Sequence, residues 1–339
     1  MADTKPQQSV VDVESGTTNA PSKSAHRRRN LCATPTLLPI LALVLVGLVA
    51  VDVVMETKMI SLASLYSCDS TTTTSCIPKI LNPAKIKYHS GHRYYSTLQA
   101  MDNLPSPVFR DELNDLCYKK MRNKKQYAYC LPISGRKDTP YCTAADRMDL
   151  LNVQSPKSVC YASVLHMIMV EVYEELQASK NTPFLAFGSM LGAVRNGSMI
   201  PFTEDADVGF VGSLHHEDAL RIALRQKGYH MFHMGIWRVC VAPTHPLAGR
   251  LFDSSLPVTK NYAVPYLDLY SIKQQKDGSW DMQEFNGTNG SIIPDDKVMP
   301  FSKVTINGVP FDTVRDPKFF LEESYGPEYM TPKRREDES

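Results

Sequence analysis

From residue 159 onward, apolar positions fall into short runs whose period alternates between helical and extended. Val164, Leu165, Ile168, Val172 and Leu176 recur at three and four residues, which predicts an amphipathic helix over 159–177. Phe184-Leu185-Ala186-Phe187 is an apolar run short enough for a buried strand. Helical spacing returns at Met190, Leu191, Ala193 and Val194 and stops at Asn196-Gly197, a turn or helix-stop pair. Val208 to Val211 reads as a second strand and 215–228 as a surface helix. Residues 229–234, 236–242 and 264–272 read as further strands. Over 300–311 two strands meet at Asn307-Gly308, a hairpin signal, and Asp316-Pro317 opens a last helix.

Upstream the pattern is different. Residues 1–30 are polar, rich in Ser, Thr, Pro and Gln, and end in a basic cluster, Arg27 to Arg29, as a disordered tail does. Leu37 to Val51 is uncharged and apolar, and with its flanks (31–55) it gives roughly 20 residues, enough to cross a bilayer. The arginines precede this span, so a signal anchor with a cytosolic N-terminus is expected, type II, in a Golgi or ER membrane. Residues 56–108 have little periodicity and several prolines, as a luminal stem has. A Cys-containing extension follows over 109–155, with a short helix expected over 111–122.

The eight cysteines then become informative. Seven would be luminal, where most pair, and the odd number leaves at least one free or bridging. Cys68 and Cys76 lie close enough for a local loop. Sequons at Asn286 and Asn289 fit luminal exposure. Net charge is +1 across 339 residues, which gives no case for nucleic acid as a partner.

The candidate chemistry sits at 184–212. A strand that enters a helix through Gly188-Ser189 leaves N–H groups suited to a phosphate. Across the loop, Asp205 and Asp207 are two apart on a strand, so both face one side. Carboxylates so close repel unless a cation lies between them, and Mg²⁺ favours carboxylates plus phosphate oxygens. Asp268 is a lone carboxylate within an apolar strand. His166 reads as a packed or surface side chain, and His215-His216 do not share a helical face.

Two blocks carry a resemblance: Phe187-Gly188-Ser189-Met190-Leu191-Gly192-Ala193-Val194-Arg195-Asn196-Gly197 and Ile200-Pro201-Phe202-Thr203-Glu204-Asp205-Ala206-Asp207. They resemble the hallmark of the LicD family, which includes the fukutin-type proteins and belongs to the nucleotidyltransferase superfamily. Phe202, Thr203 and Glu204 depart from it, where the family has Trp, Asp and Asp. Tyr266-Leu267-Asp268-Leu269 and the stretch from Pro300 to Pro332 are similar to later family motifs.

The resemblance, over 156–332, implies an α/β fold, a nucleotidyltransferase-like small mixed sheet flanked by helices. In this chain a single transmembrane helix and stem would precede it, and 333–339 would be a tail. It implies transfer of a phosphorylated alcohol or sugar from a nucleotide-activated, CDP-linked donor to a glycan acceptor. Asp205, Asp207 and Asp268 would be catalytic and hold Mg²⁺ or Mn²⁺, with Asp268 also helping to take the acceptor proton. Gly188, Ser189 and Arg195 would bind substrate, Arg195 having a surface salt bridge as its other reading. The rival readings are a non-catalytic accessory member, a D-x-D glycosyltransferase and a metal-dependent glycan-binding module.

Overall fold

Nine strands of one sheet place the acids. In a computed structural model that describes residues 75–332 apart from 103, 119, 121–126, 139, 153–157 and 257–263, everything below lies in the unit Thr72–Ser339. A short ribbon pairs β1 (Ser75–Cys76) with β2 (Phe109–Arg110). The large sheet follows: β3 (Pro183–Leu185), β4 (Asp205–Val211), β5 (Tyr229–Met234), β6 (Ile236–Val241), β7 (Tyr266–Gln274), β8 (Trp280–Met282), β9 (Ile292–Ile293), β10 (Ser302–Ile306) and β11 (Val309–Thr313). Its order is β10-β11-β3-β4-β7-β6-β5, with β8 paired to β7 and β9 to β8. The pairs β11/β3 and β4/β7 are parallel; the other neighbours are antiparallel.

The helices are α1 (Arg93–Gln99), α2 (Tyr161–Ala178), α3 (Phe187–Asn196), α4 (Glu217–Lys227), α5 (Ala248–Leu251), α6 (Asp295–Val298) and α7 (Pro317–Tyr325). Asn196-Gly197 does stop α3: Gly197 takes φ +62°, a left-handed cap that glycine adopts without a Cβ clash. Asp316 caps α7 by accepting from the Phe319 N–H at 3.0 Å.

A sheet with helices was expected, but three parts of the expectation are corrected. The sheet is not small. No helix among the described residues is long and apolar enough to cross a membrane, against a fold led by a single transmembrane helix. The segments expected to be tails, 1–30 and 333–339, and the one expected to span, 31–55, lie outside the described residues. Nor is the chain a loose stem from Ser75 onward. Tyr94, Tyr95 and Leu98 of α1 are all but fully buried; a seven-residue helix is too short for its periodicity to stand out in sequence. Cys76 bonds to Cys117, not to Cys68, which lies outside the described residues. Cys130–Cys240 and Cys142–Cys160 tie the extension to the sheet and to the start of α2. The helix expected over 111–122 is a 3-10 helix, Asp111–Cys117.

That extension also explains α2. Expected to be amphipathic, it is buried on nearly all sides, polar residues included. It meets β4 and β7 and is covered by α4 and by the 3-10 helix Arg147–Leu151 of the extension, while Tyr95 of α1 donates to its Glu174 at 2.7 Å. Glu175 on α2 bonds to His89 at 2.9 Å and to Lys227 at 2.5 Å. His166 is fully buried, and its Nδ1 accepts the Arg147 N–H at 3.1 Å.

Candidate metal centre

The register of two parallel strands assembles the acids. Asp205 pairs with Tyr266 and Asp207 with Asp268 across β4 and β7. Alternation therefore sends Asp205, Asp207 and Asp268 to one face, while Ala206, Val208, Leu267 and Leu269 are fully buried on the other. One carboxylate oxygen from each acid lies within 4.8 Å of the other two. Asp207 and Asp268 are buried, at 5% and 4% exposure, and Asp205 is half-buried.

Burial, then the charges of Asp205 and Asp268, pushes the Asp207 carboxyl well above its usual range. Burial pushes Asp268 up to about 6, against the pull of Arg238. A bound cation would reverse both penalties. Three hard oxygen donors fit Mg²⁺ or Mn²⁺ and leave coordination positions for phosphate oxygens or water.

Two neighbours complete the centre. Arg238 of β6, paired in register with Asp268, donates from Nε to its Oδ1 at 2.8 Å. The Tyr270 hydroxyl lies 3.2 Å from both Asp207 Oδ1 and Asp268 Oδ2, so its single proton links the two strands. Neither was singled out from sequence. Tyr270 had a signal, standing two residues after Asp268 on the same strand face. Arg238 was a lone cation in an apolar strand.

The expected phosphate turn is arranged differently. Phe187 enters α3 at φ +35°, its ring against Tyr270 at 4.8 Å and Phe320 at 5.4 Å. The Gly188 N–H goes to the Asp207 carboxyl, so the helix start that would face a phosphate already faces a protein side chain. A Cβ at Gly188 would stand 3.0 Å from Asp207 Oδ2, which explains the glycine by close approach. Ser189 is buried, and its Oγ accepts the Asp207 N–H at 2.8 Å. It positions β4 and does not line the cleft. Arg195 donates from Nε to the Tyr329 carbonyl at 2.6 Å and from Nη2 to the same oxygen, tying α3 to the turn that follows α7. The family's two altered acids have work of their own. Thr203 donates to Asp205 Oδ1 at 3.0 Å, and Glu204 pairs with Lys137 at 2.8 Å.

Asp205 and Asp207 open into a cleft of about 640 Å³. Phe187, Phe202, Tyr266, Tyr270 and Tyr325 give it aromatic walls, and Glu204 and Glu284 add carboxylates.

Strand-borne acids facing an aromatic cleft are an arrangement that could hold a metal ion, and one comparison names a class. Residues 180–313 match the LicD/FKTN/FKRP nucleotidyltransferase domain. The matched segment contains Asp205, Asp207 and Asp268, and its similarity to that family's domain supports a transferase. An uncharacterised protein of Rickettsia typhi is 28% identical over 120 residues, covering 34% of this chain and 35% of that one. One of Rickettsia prowazekii is 24% identical over 129 residues, covering 34% of this chain and 47% of that one. The matched stretch therefore spans a third to a half of these relatives. Among solved structures, the lincomycin-bound lincosamide antibiotic adenylyltransferase LnuA is similar at 17% identity and a TM-score of 0.28, covering 44% of this chain and 80% of that one. At that score nothing is built on the likeness.

Proposed function

We propose that this chain is a metal-dependent phosphotransferase. It moves a phosphorylated alcohol or sugar-alcohol group from a nucleotide-activated, CDP-linked donor to a glycan hydroxyl. One observation carries the reading: three carboxylates from adjacent parallel strands meet within 4.8 Å beside a cleft with room for a nucleotide donor. Asp205, Asp207 and Asp268 would hold the cation. When bound, it neutralises charge that builds on the transferred phosphoryl group. Arg238 and Tyr270 fix Asp268, and Thr203 fixes Asp205. The aromatic walls exclude water and offer faces for a base. Three disulfides fit an oxidising compartment, where glycan acceptors are found.

The test is a panel of CDP-linked donors and glycan acceptors incubated with the protein and Mn²⁺, scored by release of CMP. CMP release that needs acceptor, donor and Mn²⁺ together supports the proposal. No release above the Asp207→Asn background with any donor refutes it.

A further inference from the structure

The acids in and around the cleft are nearly all committed. Glu204 is paired with Lys137, Asp268 with Arg238 and Tyr270, Asp207 with Gly188 and Tyr270, and Asp205 with Thr203. Asp268 in particular is 4% exposed and held on both oxygens, a poor position from which to meet an acceptor's proton. Glu284 is the exception. It lines the cleft and is exposed, and among the described residues no hydrogen bond or ion pair engages its carboxylate.

Its backbone is held in a conformation that a residue with a Cβ rarely adopts. Glu284 has φ +62°, in the left-handed region. It sits in a turn closed by the Phe285 N–H donating to the Met282 carbonyl at 3.3 Å. Glycine or asparagine is the ordinary occupant of such a position. What holds it there is Phe285. That side chain is 4% exposed and packs on Phe320 at 4.9 Å, which packs in turn on Phe187 at the start of α3. A strained turn wedged into the core thus delivers a free carboxylate to the cleft. Strain of this kind persists where surrounding packing over-determines it, and it gathers at functional sites.

We propose that Glu284 is the general base that takes the proton of the acceptor hydroxyl. The acceptor oxygen forms a bond to the phosphorus of the transferred group. The bond from that phosphorus to the bridging oxygen of the nucleotide breaks, and its electron pair leaves with the nucleoside monophosphate. The acceptor proton goes to the Glu284 carboxylate. This assignment rests on the transfer reading above.

Two variants test it, Glu284→Gln and Glu284→Gly. Both lower kcat at least about 100-fold, the usual weight of a general base, and both keep the parental Mn²⁺-induced thermal shift. Glu284→Gln also loses the acid limb of the pH–rate profile. Glu284→Gly, relieved of the strain, melts about 2–4 °C above the parent. A less active but more stable glycine variant is the signature of a functional residue, which a structural role would not give. Parental kcat in either variant, or a glycine variant no more stable than the parent, overturns the assignment while leaving the transfer reading intact. A parent that transfers nothing from any donor overturns both together.

Discussion

Asp207→Asn changes one atom in the most crowded part of the centre, and the structure sets the outcome. The Asp207 carboxyl is 5% exposed, with two further acids beside it. Its hydrogen bonds survive the change. The oxygen of the new amide can accept the Gly188 N–H that now goes to the carboxylate. The amide nitrogen can donate to the Tyr270 hydroxyl, 3.2 Å from the present Oδ1, and that hydroxyl then turns its proton to Asp268. What is lost is a carboxyl whose charged form burial and the two neighbouring acids disfavour, a penalty that costs the metal-free fold about 2 kcal/mol. For a domain of this size its removal is a gain of about 4–8 °C in melting temperature. Mn²⁺ at about a hundred times its Kd stabilises the parent by about 3 kcal/mol and leaves the variant unmoved. Differential scanning fluorimetry in EDTA and in Mn²⁺ therefore gives two opposed orderings: the variant is ahead without metal, and the parent gains with it. A variant less stable than the parent in EDTA would refute the electrostatic reasoning, because it would mean that the carboxylate is stabilising with no cation present.

Two further outcomes follow. Burial raises the Glu171 carboxyl on α2 to about 7, with Lys227 holding it down only in part. The folded chain thus keeps a proton that the unfolded chain releases near its ordinary 4.5, and this stabilisation is whole below that pH and lost as pH climbs through 7. Glu171→Gln should remove about 3 kcal/mol of the pH dependence of urea unfolding between pH 5 and 8; parallel pH profiles in parent and variant would refute it. Arg195→Ala should cost about 2 kcal/mol of stability through its lost carbonyl contacts and leave the Mn²⁺ shift in place. An unchanged melting temperature with weakened donor binding would instead make Arg195 a phosphate contact.

Asp205 and Asp207 were legible from their two-residue spacing on a strand, whereas Asp268, a lone aspartate that by itself would more simply face solvent, was reached only through its resemblance to a family motif. That Asp207 and Asp268 are neighbours depends on β4 and β7 being parallel and in register, a pairing between residues 61 apart that alternation within one strand does not encode. The local arrangement of the expected phosphate turn was hidden for a related reason. Gly188 and Ser189 look like a cradle in sequence, yet the strand that crosses them brings its own carboxylate and backbone into that space. Ser75 to Gln99 looked like a stem because its burial comes from a disulfide and from two tyrosines on a seven-residue helix. The all-round burial of α2 was hidden too: its polar positions include Glu171, which is buried outright, and Glu175, whose partners His89 and Lys227 come from distant segments.

The central claim is that Asp205, Asp207 and Asp268 form one cation site that serves the cleft. Crystals grown with Mn²⁺ and a non-reactive CDP analogue, measured above and below the manganese absorption edge, test it directly. The account predicts an anomalous peak bounded by oxygens of all three acids, with a phosphate oxygen of the analogue completing the shell. A manganese peak elsewhere, or an analogue bound in the cleft with no metal at these carboxylates, would contradict it.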